Sequence, residues 1–332
     1  MSDDGEATVV SAFASGDPLP PWCTPAWDVL AARAAGNSLP HALLVCGPAG
    51  LGKRVLTEAF VRARLCESLR DGRACGHCRA CRLLAAGTHP DRVLVTFEEN
   101  PKTHKLRTEI VIDQIRALSA RLAMASQLGG WQVAVIDPAE AMNPASQNAL
   151  LKTLEEPTAS SLIVLVADQP SRLSATVRSR CQRVEIALPP KVEALAWLGV
   201  RGVEHAEAAL AAAGGNPGLA WLLAEHGGMQ RRQEVARDLL ALAAGRGDAR
   251  AIGRAWADDE PGQRLEQAAR LLEGALRARA EGLRARFDPG WDDATLAARC
   301  AGANHLRRLL DGPLRGDLAL FDWLNGLPRT QG

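Results

Sequence analysis

Five short segments rich in apolar residues alternate with helix-like stretches in the first part of the chain, and they predict buried strands. They cover residues 42–46, 92–96, 132–136, 162–166 and 183–187. Because strands that alternate with helices form parallel sheets, the pattern predicts a parallel α/β domain over residues 19–188. Residues 1–18 are rich in small and acidic side chains and are predicted to form a flexible tail.

The rest of the chain carries helical patterns only. The Leu188-Pro189-Pro190 run ends the alternation, and a small helical unit is predicted over residues 189–228. Gly227-Gly228 marks a second boundary, after which residues 229–332 are predicted to be helical. Two apolar stripes at helical spacing indicate a core or a partner seam there. They are Val235, Leu239 and Leu242, then Leu265, Ala269, Leu272, Leu276 and Leu283.

Composition narrows the class of protein. The 332 residues are 47% hydrophobic and 23% charged, which is typical of a folded protein of two or three domains. A net charge of +1 excludes nucleic-acid binding by bulk charge alone. No apolar run reaches the length of a membrane span, and the acidic start lacks the features of a secretory signal, so we expect a cytoplasmic location and no membrane partner.

Four of the eight cysteines fall close together, as Cys66-x8-Cys75-x2-Cys78-x2-Cys81. In a reducing compartment we expect no disulfides, and two overlapping Cys-x-x-Cys steps plus a fourth cysteine are typical of a tetrahedral zinc site. Four protein ligands leave no position for water, so such a zinc ion would be structural. The alternatives are four idle thiols, or a site in which His77 replaces one sulfur.

A glycine-rich segment over residues 47–54, Gly-Pro-Ala-Gly-Leu-Gly-Lys-Arg, follows the first predicted strand and precedes a helix. This is the context of a phosphate-binding loop, in which glycines let backbone N–H groups approach phosphate. Gly47, Gly52 and Lys53 are therefore candidate phosphate-binding residues, with Lys53 reaching the terminal phosphates. A glycine-rich turn that only caps the helix is the alternative.

Two features of an active ATPase are missing from this loop. Arg54 stands where a serine or threonine hydroxyl should hold Mg²⁺, and a guanidinium repels a cation. Asp137 follows the predicted strand 132–136 at the position that supports the metal, but the next residue is Pro138, which offers no carboxylate to activate water. ATP hydrolysis by this chain is therefore not expected, while binding of ATP or ADP stays open.

The order of motifs carries a resemblance. After the phosphate loop and the four cysteines come Gly-Thr-His-Pro-Asp at 87–91, the Asp137 strand, Asn-Ala-Leu-Leu-Lys-Thr-Leu-Glu-Glu-Pro at 148–157, and Arg-Ser-Arg-Cys at 178–181. Over about residues 20–220 the chain resembles bacterial clamp-loader subunits of the AAA+ class. Within that class it is similar to the delta-prime family of DNA polymerase III.

The resemblance assigns roles to individual residues. Ser179, Arg180 and Cys181 match the family's SRC motif, so Arg180 would be an arginine finger that acts on ATP held by a neighbouring subunit, with Arg178 assisting. Without the motif order, Arg180 is a surface arginine or one paired with an acid of the same chain. Asp168 lies near the sensor-1 position. Gly218 stands where ATP-hydrolysing relatives carry a sensor arginine, which is a third defect.

The resemblance also implies an assembly. The fold would be an AAA+ P-loop domain (19–188) with a four-cysteine zinc module (66–81), a helical lid domain (189–228) and a helical collar domain for oligomerisation (229–332). The chain would be a non-hydrolysing subunit of the clamp loader in the DNA polymerase III holoenzyme. Its partners would be the gamma/tau and delta subunits and, through the complex, the sliding clamp and primed DNA.

Other functions remain open from the residues alone. The chain would be an active gamma/tau-like ATPase if its divergent site still turned over ATP. It would be a zinc-dependent DNA-binding protein if the phosphate loop were only structural, although the balanced charge counts against that. Catalysis by the metal is disfavoured because four cysteines leave no open coordination position.

Overall fold

The computed structural model describes residues 12–14, 16–310 and 315–329. The chain divides into two compact units, residues 1–193 and 194–332. Across the described ranges, no helix combines the length and the apolar character that crossing a bilayer requires.

The first unit is built on a five-stranded sheet in the order β2-β3-β4-β1-β5, with all neighbours parallel. The strands are β1 (Ala42–Cys46), β2 (Arg92–Val95), β3 (Gln132–Ile136), β4 (Ser161–Ala167) and β5 (Gln182–Glu185). Strands β1, β3 and β4 are buried along their whole length because each has a strand on both sides, whereas the edge strands β2 and β5 carry exposed residues. The predicted parallel sheet is confirmed.

Helices connect the strands of the first unit. They are α1 (Thr24–Ala35), α2 (Lys53–Leu65), α3 (Arg79–Ala85), α4 (Ile112–Leu122), α5 (Pro144–Glu155) and α6 (Ala175–Ser179). Helix α5 begins after Asn143 because the Asn143 side chain accepts the Ser146 N–H at 3.0 Å and Pro144 needs no N–H partner. Ile115 and Leu150 are fully buried, so α4 and α5 contribute to the core of the sheet.

The described residues at the start of the chain are packed. Residues 1–11 and 15 of the predicted tail lie outside the described residues. Ala12 is 1% exposed and Phe13 is 9% exposed, and the Phe13 ring meets the Trp22 ring edge-on with centroids 6.4 Å apart. The tail prediction overlooked this contact because a single phenylalanine among small residues gives no periodic signal.

The described part of the second unit is helical. Its first residues belong to α7 (Lys191–Val200), and seven further helices follow among the described residues. These are α8 (Ala206–Ala212), α9 (Pro217–Glu225), α10 (Gly228–Ala243), α11 (Ala249–Asp258), α12 (Pro261–Ala280), α13 (Asp293–Leu309) and α14 (Gly316–Asn325). Two hydrophobic cores are present, one around Leu198 and Ala220 and one around Trp256 and Leu272. Their assignment to separate lid and collar domains stays a prediction.

The two predicted apolar stripes lie mostly in the second of these cores. Val235 and Leu239 are fully buried, as are Leu265 and Leu272. Leu283 is 61% exposed, so the second stripe was predicted too long. Helix α12 ends at Ala280 because the chain turns through Gly282, whose φ is +69°.

Candidate functional site: a phosphate loop, an exposed arginine and a cysteine cluster

The predicted phosphate loop connects β1 to α2 at the carboxyl edge of the sheet. Gly47 has φ +145°, and a Cβ there would lie 2.2 Å from the Ile186 carbonyl oxygen, so only glycine fits. Gly52 has φ +78° and lies directly before α2. The loop therefore has the tight glycine-dependent path that brings backbone close to a phosphate group.

Lys53 lies beneath this loop and has partners of its own. Its residue is 3% exposed, and its Nζ donates to the Pro48 carbonyl at 2.6 Å and lies 2.5 Å from Asp168 Oδ1. Asp168 follows β4, which neighbours β1 in the sheet. The sequence placed Asp168 only near the sensor-1 position, whereas the structure makes it the counter-ion of Lys53.

Arg54 and Asp137 form the second ion pair of this site. Arg54 Nε and Nη2 donate to the two carboxylate oxygens of Asp137 at 2.6 and 2.8 Å, a bidentate arrangement. Burial alone would lower the pKa of Arg54, but the hydrogen bonds and charge of Asp137 raise it on balance. Arg54 therefore stays charged.

The site does not fit a magnesium ion. In active P-loop proteins, the hydroxyl after the lysine and the aspartate after the third strand hold Mg²⁺. Here a guanidinium replaces the hydroxyl and already bonds both oxygens of the aspartate. Two cations, Lys53 and Arg54, face two carboxylates, so the four side chains carry no net charge.

The N-terminal segment packs against the outer side of the loop. The Trp22 indole donates to the Leu51 carbonyl at 2.9 Å, and a Cβ on Gly52 would lie 2.7 Å from Pro20 Cγ. The Cys23 thiol also donates to Leu51, and burial raises its pKa to about 12, so Cys23 is a neutral packing residue. Sequence reasoning missed this cover, for which the prolines of the entry segment were the only signal.

Arg180 lies at the end of the short helix α6. Its Nη1 donates to the Thr176 carbonyl at 3.0 Å, and its Nη2 lies 2.5 Å from Glu155 Oε1. The side chain is 33% exposed. Arg180 is therefore paired with an acid of its own chain while remaining open to solvent.

The neighbours of Arg180 have separate surroundings. The Ser179 hydroxyl donates to the Thr176 carbonyl at 3.1 Å. Cys181 packs against the core of the sheet, and burial raises its pKa to about 11. Arg178 Nη1 reaches the Pro170 carbonyl at 3.5 Å, which is at the limit of a hydrogen bond. Cys181 therefore packs against the core of the sheet, while the side chains of Arg178 and Arg180 are accessible to solvent.

The four predicted cysteine ligands come together in space. All four Sγ atoms lie within 4.8 Å of one another, with Cys66–Cys78 at 3.9 Å and Cys75–Cys81 at 4.0 Å. A tetrahedral zinc ion with Zn–S bonds of about 2.3 Å places its sulfurs roughly 3.8 Å apart. The cluster therefore fits zinc in both residue type and spacing.

Local backbone geometry prepares this cluster. The amides of Cys75, Cys78 and Cys81 donate to the sulfurs of Cys66, Cys75 and Cys78 at 3.3–3.4 Å. A backbone hydrogen bond from His77 is the largest of the effects that lower the pKa of Cys75, to about 6. The His77 ring lies outside the cluster, with Nδ1 2.8 Å from the Cys75 carbonyl. The geometry favours four sulfurs over a site that uses His77.

Asp91, in the 87–91 motif, ties two segments together. Its two carboxylate oxygens accept the N–H groups of Gln127 and Leu128 at 2.7 and 2.9 Å, and the residue is 3% exposed. The Arg121 side chain donates to the Pro90 carbonyl at 2.6 Å. The motif therefore positions β2 and the loop before β3, a structural role that the sequence did not reveal.

Comparison with known proteins places the chain in a family. A family model described as "DNA polymerase III, delta subunit" matches residues 23–190. DNA polymerase III subunit delta' of Pseudomonas aeruginosa is 40% identical over 226 residues, which is 67% of this chain and 66% of that protein. The Escherichia coli subunit delta' is 35% identical over 260 residues, 77% of this chain and 76% of that protein.

Two weaker similarities are also present. Subunit tau of Bacillus subtilis is 30% identical over 145 residues, 44% of this chain and 24% of that protein. A solved gamma subunit-related protein of Thermotoga maritima covers 90% of this chain and 97% of its own at 17% identity, but its TM-score of 0.40 is too low to support an inference.

The parallel sheet with its glycine loop defines a P-loop α/β protein of the clamp-loader AAA+ class. The chain belongs to the delta-prime family of DNA polymerase III subunits. The resemblance derived from the motif order is confirmed.

Proposed function

We propose that this chain is a non-hydrolysing subunit of the replicative clamp loader. The paired charges of its phosphate loop carry the proposal. Lys53 faces Asp168, Arg54 holds both oxygens of Asp137, and Pro138 follows where a catalytic glutamate stands in active relatives. Because metal ligation and water activation both lack a residue, the loop has no means of turning over ATP.

Arg180 supplies the active contribution in this proposal. An arginine finger stabilises the charge that develops on a transferring phosphoryl group, and it acts from a neighbouring subunit. The side chain is partly exposed and is paired with Glu155, whose side chain is itself about half exposed. Release from that pair costs little, since exposed ion pairs contribute about 0–1 kcal/mol. Arg178, two residues earlier in the chain, is the assisting cation.

The cysteine cluster holds a structural zinc ion in this proposal. Cys66, Cys75, Cys78 and Cys81 would supply four thiolates, and zinc would fix the segment between α2 and α3 without a catalytic position. Bound zinc deprotonates its thiol ligands, so the cluster would carry the charge of four thiolates balanced in part by the metal.

The remaining parts of the chain serve assembly. The helical core around Leu198 would be the lid domain and the core around Trp256 the collar domain through which subunits associate. The gamma/tau and delta subunits are the proposed partners, and the sliding clamp and primed DNA are reached through the complex. We place this assembly in the cytoplasm.

An ATPase assay on a reconstituted loader tests the proposal. The assay contains the sliding clamp and primed DNA and compares the natural chain with Arg180→Ala and with the chain alone. We expect the chain alone to be inactive. Arg180→Ala should lower the assembly's rate severalfold or more, because the ATP site next to this subunit loses the arginine that stabilises its transition state. Arg116→Ala, which removes an exposed arginine from helix α4, is the matched control and should retain the rate.

The active-ATPase alternative makes the opposite prediction. It is favoured by one observation, the retention of Lys53 within a glycine loop of the right shape. If the purified chain alone hydrolyses ATP with Mg²⁺ and Arg180→Ala leaves the loader unchanged, the chain is a motor and the proposal is wrong.

A further inference from the structure

Asp137 is the carboxylate that meets the divalent cation in active P-loop proteins, and in this chain it already has a cation. Arg54 Nε and Nη2 lie 2.6 and 2.8 Å from its two oxygens. A guanidinium fork matches the geometry of a carboxylate, so one side chain uses the in-plane lone pairs of both oxygens. A metal ion would have to displace this fork and tolerate its charge.

The pair also controls access to Asp137. A cavity of about 630 Å³ lies beside α2, and one of about 700 Å³ lies beyond the ends of β2 and β3. Arg54 and Asp137 line both cavities, so the pair forms part of the wall between them. A cation that approaches from either side meets the guanidinium together with the carboxylate.

The acidic residues nearby do not replace Asp137 as a metal site. Glu140 and Asp168 line the second cavity as well. Glu140 Oε1 accepts the N–H groups of Asp168 and Gln169 at 2.9 and 3.1 Å, and Asp168 faces Lys53. These contacts engage Asp168 and one oxygen of Glu140 with groups of the chain itself, and the other oxygen, Glu140 Oε2, is buried away from the cavity. Glu109 also lines the second cavity, and its Oε2 accepts from Asn143 Nδ2 at 3.4 Å.

We propose that Arg54 takes the place of the divalent cation at Asp137, so that the phosphate loop excludes divalent metal. The proposal rests on the proposed function and deepens it, because it attributes the inactivity of the phosphate loop to a single side chain, that of Arg54. It follows that Arg54→Thr, which restores the hydroxyl of the usual motif and frees Asp137, creates a metal-dependent nucleotide site.

The experiment uses the full chain, loaded with zinc, and Mn²⁺ with ATP as the probe. Protein-bound Mn²⁺·ATP raises the water-proton relaxation rate because the complex tumbles slowly. Mn²⁺ prefers oxygen ligands, so the cysteine cluster does not compete for it. We expect no enhancement with the natural chain and a saturable enhancement with Arg54→Thr.

Two further variants identify the source of the signal. Arg54→Thr combined with Asp137→Asn should weaken the new site about tenfold or more, since it removes a group that holds or orients the metal. Arg116→Thr is the matched control, because it frees Asp113 from an arginine on the exposed face of helix α4. It should give no enhancement.

Either of two results overturns the proposal. One is enhancement by the natural chain that Asp137→Asn abolishes, which would mean that Arg54 does not exclude the metal. The other is the absence of enhancement with Arg54→Thr that is folded, as judged by its circular dichroism and melting temperature. Both are independent of the loader ATPase assay, so failure here is distinct from failure of the proposed function.

Discussion

Helix α2 has a pair of cationic side chains at its start and a cysteine cluster at its end. At its start, Lys53 and Arg54 are each matched by a carboxylate of the same chain. At its end, Cys66 belongs to a group of four cysteines whose sulfurs accept hydrogen bonds from backbone N–H groups. The cations of the first region have carboxylate partners within the chain, whereas the spacing of the four sulfurs in the second region is compatible with a zinc ion.

This difference suggests a criterion for asking whether a recognisable motif still has ligand groups available for a metal ion or a nucleotide. Both regions keep enough of a known motif to be recognised in the sequence. The decisive observation is which partner each donor or acceptor has in the folded chain. In the phosphate loop, Lys53 and Arg54 are paired with carboxylates of the chain, whereas the four cysteine sulfurs are arranged at distances compatible with zinc.

The largest expected effect comes from the cysteine cluster. Cys78→Ser should reduce bound zinc from about one per chain to near zero and loosen residues 66–85, because three sulfurs do not complete a tetrahedral site. The sheet should remain folded, since its core does not include the cluster. Elemental analysis and hydrogen exchange measure the two effects.

Cys300→Ser is the control for that prediction. Cys300 is a free, half-buried cysteine of the second unit. It should leave zinc content unchanged. Natural chain that is purified without chelator and contains no zinc would contradict the metal assignment itself.

The next effect concerns the buried pair at the start of α2. Lys53→Met should destabilise the chain by about 1–3 kcal/mol, because Asp168 loses the cation that balances it. Adding Asp168→Asn should recover part of the loss. Thermal unfolding measures both, and equal stability of the single and natural forms would show that the pair is not important for folding.

An exposed pair provides a smaller effect. Glu155→Gln frees Arg180 from a partner worth about 0.2–1 kcal/mol, so the ATPase rate of the loader without clamp and DNA should rise up to about fivefold. The rate is compared with that of Glu156→Gln, a neighbouring acid outside this pair. A fall in rate would mean that Glu155 positions Arg180 instead of restraining it.

The smallest effect on the loader's ATPase rate is expected for a substitution in the phosphate loop. Gly52→Asp should leave the loader's ATPase rate unchanged, because an idle loop contributes no turnover. It should lower the melting temperature, since its Cβ would lie 2.7 Å from Pro20 Cγ in a left-handed backbone conformation. A large loss of ATPase activity in folded protein would contradict the comparison.

The sequence predicted those features that depend on local pattern. The parallel sheet followed from the alternation of strands and helices, and the cysteine cluster followed from ligand spacing. The sequence did not identify Asp168 as the partner of Lys53, and it allowed an acidic partner for Arg180 without identifying Glu155. Each pair joins residues that are adjacent only after the strands and helices have packed. The structural role of Asp91 was not predicted for the same reason, since the residues whose N–H groups it accepts lie 36 and 37 positions away.

The packed start of the chain has a practical consequence for preparing shortened forms of this protein. Cutting after residue 18, where the predicted flexible tail ends, removes Ala12 and Phe13 from the surface that they cover. The Trp22 ring would then be exposed to solvent on the face that Phe13 occupies. Expression of a form that begins at residue 19 should therefore yield a less soluble product than the full-length protein.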